Sequence, residues 1–273
     1  MPVGPAAMAT MQQPPTRRAA ATMRRRSPTR PPYVYWAFDQ ADISGSTVAS
    51  REGSVSGVLK GAALAADGVA GDALAFQEVG DSVDFGDVLD DVVAGPDRKF
   101  TISLWIRPSS VSGFGNILVK DGPTSCELTD ESRAIGIGFR SGHPSFRFWS
   151  PSNDNARYVE VPDPLVLDVW QHVLITYDGS VDLGPVDRVR LYIDGVPQPL
   201  TVSATIGAFP FDIEETGAHL ALGNIISYSG DACSPDQFRG ALDELAVWNT
   251  ILSAEEAADV HARGAASLAL WPL

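Results

Sequence analysis

The chain has 273 residues, a formal net charge of −14, 44% hydrophobic residues and two cysteines. Its length allows two average domains, but 25 Gly and 20 Pro spread among short apolar runs favour one large all-β sandwich with an ample core. The charge is divided: residues 1–32 hold six Arg and no acid, leaving 14 basic against 34 acidic groups in the rest, a net −20. A body that acidic argues against nucleic acid or anionic membranes as partners of the folded domain.

Residues 1–32, with Pro14-Pro15, Pro28 and Pro31-Pro32 among Ala, Thr and Arg, read as a disordered basic tail. The segment lacks the apolar stretch of a secretory signal, so no signal peptide is visible. No apolar run approaches the roughly 18 residues of a membrane helix, so no membrane span is expected. Tyr33 to Asp39 reads as a first strand, and Ala73 to Phe85 as a hairpin turning near Gly80-Asp81. Phe100 to Arg107 reads as a buried strand with Ile102, Leu104 and Ile106 on one face and Ser103 and Trp105 on the other. Further strands are expected over Asn116 to Lys120, Ala134 to Arg140 and Ser145 to Trp149, with an acidic loop carrying Cys126 between the first two.

The most strongly patterned stretch is WQHVLITYDGSVDLGPVDRVRLYIDG, Trp170 to Gly195. Val173, Ile175 and Tyr177 alternate with polar or oppositely facing positions, as do Val189, Leu191 and Ile193, and Asp-Gly pairs end both runs. This predicts a β-hairpin. One short helix follows near the C-terminus: Ser253-Ala254-Glu255-Glu256 is a capping box, and Gly264 supplies the stop after His261 and Arg263. Leu268 to Leu273, LALWPL, reads either as a last strand or as the opening of a following repeat.

The hairpin, with the upstream FTISLWIRP from Phe100 and the downstream FRGALDELAVWNTILSAEEAADVHARG from Phe238, resembles the laminin-G-like and pentraxin-like branch of the concanavalin A-like lectins and glucanases. The resemblance implies a jelly-roll sandwich of two antiparallel sheets over residues 33–273. It also implies a structural calcium held by a carboxylate near the first strand and one in the last, for which Asp39 and Asp243 are the matching positions. Cys126 and Cys233 follow strands that the family places close together. A bond between them would fit an extracellular or surface location.

Catalysis is disfavoured. Glycosidases on this fold carry two carboxylates on one strand, about 5 to 5.5 Å apart for retention, and here the nearest run, Asp212-Ile213-Glu214-Glu215, reads as a loop. Asp243 and Glu244 are adjacent, so on a regular strand they face opposite ways, one to a metal or the loop backbone and the other to solvent or an Arg. The residues after Leu222-Gly223, Asn224 to Ser227, lack the acids of the pentraxin calcium site. His143, His172, His219 and His261 show neither zinc spacing nor a triad order.

Trp149 differs from the core tryptophans because it opens a polar loop with Asn153, Asp154 and Asn155, a plausible set for stacking and hydrogen-bonding a sugar. The expected function is therefore a non-catalytic recognition module for a glycan or a surface protein, working as one of several tandem copies or as part of an oligomer. The alternatives are an assembly domain of a surface or viral particle and a glycoside hydrolase or lyase.

Overall fold

The computed structural model describes residues 30–271 apart from 66, 97, 123–132, 228–230, 234 and 235. Two antiparallel sheets stack face to face around one apolar core, as their alternating sequences require. The first sheet has eight strands, centred on Lys99–Pro108. This strand pairs on one side with Gln171–Asp178 and on the other with Gly240–Trp248. The second has ten, with His143–Ser150, Arg133–Arg140 and Phe114–Asp121 at its middle. The opening strand Val34–Trp36 pairs with the last one, Val34 opposite Val247.

The hairpin forms in the expected register: Val173 faces Ile193, Ile175 faces Leu191 and Tyr177 faces Val189. Val173, Ile175, Tyr177, Val189 and Leu191 are buried in the core, with Ile193 packed against it. Its connection contains a short helix, Pro185–Arg188, that the pattern did not show. The C-terminal helix, Ala254–Gly264, has both halves of its capping box in place. Gly264 ends it where the backbone passes over Trp105, and a Cβ there would come 2.4 Å from the indole Nε1.

One expectation is corrected. Ala73 to Phe85 is not a hairpin: Ala73–Phe76 belongs to the eight-stranded sheet and Ser82–Asp84 to the ten-stranded one. The cause lies in the connection, where the Asp81 carboxylate accepts the amides of Gln77 and Glu78 and turns the chain across the sandwich edge. Leu268 to Trp271 forms no strand; Leu270 is buried and donates its amide to Glu244. No helix among the described residues is long and apolar enough to cross a membrane.

Candidate functional site

At one end of the sandwich two loop segments flank an open cavity of about 1190 Å³. That is ample for an oligosaccharide-sized ligand, since such sites hold roughly 300 to 1,000 Å³. One wall is the connection between Ser82–Asp84 and Lys99–Pro108. In it Leu89, Val92 and Val93 insert into the core, leaving Asp87, Asp90 and Asp91 towards the cavity. Lys120, fully buried, fixes this wall from behind through Asp87 (2.7 Å), Asp90 (3.1 Å) and the carbonyl of Ala218. Burial lifts the Asp90 carboxyl to about 6 against the pull of Lys120.

The second wall is Pro210 to Glu215. Here the side chains alternate: Phe211 and Ile213 are buried, while Asp212 and Glu215 are exposed. Glu214 is gripped by the Ser150 hydroxyl (2.6 Å) and the Ser152 amide (2.9 Å). The amide of Gly95 donates to the carbonyl of Ile213 (2.8 Å), tying the walls together. Tyr33 completes the lining; its ring is 39% exposed and its hydroxyl donates to Asp91 (2.7 Å).

Of the residues expected to bind ligand, Asn155 reaches this cavity, although its Oδ1 is taken by the amide of Ala208 (2.6 Å). Asn153 closes the short turn Pro151–Asn153, and Asp154 follows it, exposed, with a positive φ of 47°. Trp149 points to the outer face of the ten-stranded sheet, since its neighbours Phe146 and Phe148 take the core side. Its ring is 6% exposed, under the Arg147 guanidinium (5.7 Å) and edge-on to Tyr158 (5.7 Å). Trp149 therefore packs and offers no open face for a sugar. Asp212 and Glu215 lie in a loop, as expected, and also line the cavity. Tyr33 and the Asp87 to Asp91 wall were missed; the only sequence signal was the acidic run between Asp87 and Asp91.

Asp39 and Asp243 converge on one loop, Gly68 to Asp72. Asp39 Oδ1 accepts the amide of Asp72 (2.7 Å), and its other oxygen pairs with Arg51. Asp243 Oδ2 accepts the amides of Val69 (2.7 Å) and Ala70 (3.3 Å), and Oδ1 that of Glu244 (2.8 Å). At Gly71, where φ is +98°, a Cβ would fall 2.0 Å from Asp39 Oδ1. This donor set does not fit calcium, which takes six to eight oxygen ligands, because three of the four carboxylate oxygens accept backbone amides and the fourth pairs with Arg51. Among the described residues no group of three or more His, Cys, Asp or Glu could hold a metal ion.

Glu244 corrects a second expectation. A bulge at a positive φ of 54° turns it inward, so it is fully buried and accepts the Tyr35 hydroxyl (2.8 Å). Burial, then the neighbouring Glu244 charge, raises Asp243 to about 8, and burial raises Glu244 to about 7. The histidines are also closer than their spacing implied: His172 and His261 both lie against Trp105, with their own rings 5.8 Å apart. His172 is fully buried, bonded to Ser103 (2.8 Å), and held down to about 3 by burial. It has no solvent access and no carboxylate partner, so it makes no catalytic pair with Ser103. Cys126 lies outside the described residues, and its expected bond to Cys233 with it.

A family model of the laminin-G type, described as the concanavalin A-like lectin/glucanases superfamily, matches residues 78–258. The chain belongs to this superfamily. No curated protein sequence matches it. Among solved structures it is similar to domain 4 of a GH43 extracellular arabinanase from Geobacillus stearothermophilus, determined with arabinotriose. That pair shows 18% identity and a TM-score of 0.53, over 84% of this chain and 97% of that one. It is also similar to the binding domain of botulinum neurotoxin serotype G, at 11% identity and TM-score 0.58 over 85% of this chain and 50% of that one. A Trypanosoma rangeli sialidase mutant with trans-sialidase activity matches at 13% identity and TM-score 0.54, over 86% of this chain and 33% of that one. At these identities the likeness shows the concanavalin A-like fold alone, and the chain spans half or less of the latter two. The superfamily includes both binding modules and glycoside hydrolases.

Proposed function

We propose that this domain is a non-catalytic recognition module that holds a glycan in the end cavity. The observation that carries this reading is the lining. Carboxylates that accept hydrogen bonds from sugar hydroxyls stand beside the exposed Tyr33 ring, which suits the C–H face of a pyranose or furanose. The polar loop expected to bind sugar contributes Asn155 and Ser150 to the cavity wall. A glycan array followed by calorimetry tests the proposal: Tyr33→Ala should weaken any hit about tenfold while the domain stays folded.

The runner-up is a glycoside hydrolase. It is favoured by one observation, that Asp90 lies near 6 in a cavity with carboxylates on the opposite wall. Asp90 is already held by Lys120, which favours binding over proton donation. Steady release of reducing ends from a polysaccharide would reverse this ranking. An extracellular or surface location and a Cys126–Cys233 bond belong to the same proposal, as does a role for several copies, since one stacked sugar with a few hydrogen bonds gives only about 0.1 to 1 mM affinity.

A further inference from the structure

The sign of the cavity's charge limits which glycans it admits. Among the described residues, six carboxylates line it, Asp87, Asp90, Asp91, Asp212, Glu214 and Glu215, against one cation, Arg98. Asp87 and Asp90 share the single Lys120 ammonium behind the wall, and the Arg98 Nε is turned to the carbonyl of Ala94. Asp212 and Glu215 are exposed and have no hydrogen bond or ion pair to a described residue, so their charges face whatever enters. A carboxylate only accepts hydrogen bonds. It rewards a hydroxyl, rewards a protonated amine more through charge assistance, and meets an acidic sugar with like-charge repulsion across a partly desolvated space.

We infer that the cavity selects uncharged and amino-bearing oligosaccharides and rejects uronate, sulfated and sialylated ones. The inference rests on the recognition reading above and adds the ligand class to it. Selectivity arises from the charged walls and not from the aromatic lining: the exposed Tyr33 ring stacks any sugar, while Asp212 and Glu215 sort by charge. Since part of the discrimination is Coulombic and solvent-exposed, it should shrink as salt rises and the screening length falls from about 30 Å at 0.01 M to about 8 Å at 0.15 M.

The test is an array carrying neutral, glucosamine-type, uronate, sulfated and sialylated oligosaccharides of matched length, probed with the full chain at low and at physiological salt. Hits confined to neutral and amino-bearing members, with at least a tenfold margin at low salt that narrows at higher salt, are expected. The double variant Asp212→Asn, Glu215→Gln, with its melting curve recorded to confirm folding, should reduce that margin about fivefold. Acidic glycans binding as well as neutral ones would overturn the inference and leave the recognition reading standing. An array with no hits of any class would overturn both.

Discussion

Asp243 and Val69 are 174 residues apart in sequence and 2.7 Å apart in space, the carboxylate Oδ2 accepting the backbone amide. Together with Asp39 at the other end of the same loop, this contact fastens the Gly68 to Asp72 segment between the beginning and the end of the chain.

The pH dependence of stability should carry the mark of this buried pair. Asp243 and Glu244 are raised from 3.8 and 4.5 to about 8 and 7, so the folded state keeps protons that the unfolded chain releases. Their contribution is full below about pH 4 and is lost as pH rises through 7 to 8. His172, lowered from 6.5 to about 3, acts oppositely: its contribution is present above 6.5 and is lost as pH falls towards 3. The melting temperature of the wild type should therefore lose this contribution between about pH 4 and 8, with a shallower loss in Asp243→Asn. His172→Gln should flatten the acid limb. Identical profiles for all three proteins would contradict these assignments.

Chelation should leave the melting curve unchanged, because the Asp39 and Asp243 carboxylates are satisfied by Arg51 and by backbone amides. Arg51→Ala, by contrast, removes the partner of both Asp39 and Asp42 and should cost about 1 to 3 kcal/mol in urea denaturation. A drop in melting temperature in EDTA, reversed by added calcium, would return the metal to this site.

Trp149→Ala should destabilise the domain by about 3 to 5 kcal/mol, the usual cost of truncating a buried aromatic. A variant that melts within 1 to 2 °C of the wild type would show that the ring is not packed as described.

Thiol titration of the unreduced, unfolded protein should find no free cysteine. If Cys126 and Cys233 are bonded, a loop of that length contributes about 4 to 5 kcal/mol in the chain-entropy description, so reduction should lower stability by a comparable amount. Two titratable thiols would remove both the bond and the compartment it implies.

The sandwich was legible because its core strands carry strict alternation: Val173, Ile175 and Tyr177, or Ile102, Leu104 and Ile106, announce a buried face by spacing alone. The Ala73 to Phe85 segment misled because two short apolar runs around a Gly-Asp turn look alike whether their strands pair or part. The difference lay in which amides Asp81 captured. Glu244 was misplaced because a bulge breaks the two-residue period that reading a strand depends on. The cavity was illegible for a further reason. Tyr33 and Phe211 are 178 positions apart, neither neighbourhood is distinctive, and only the folded chain shows that they line one cavity.

The pairing of Val34–Trp36 with Gly240–Trp248, and of Gly240–Trp248 with Lys99–Pro108, also bears on how the protein is made. A ribosome delivers the centre of the eight-stranded sheet long before it delivers the strand that covers it. Until residue 248 emerges, Lys99–Pro108 presents an open, apolar edge, and the opening strand has only its bridge to Glu52 and lacks its main partner. A nascent chain stalled before that point is poised to associate with its neighbours, so chaperone demand during translation should peak just ahead of the last strand and fall sharply once it is released.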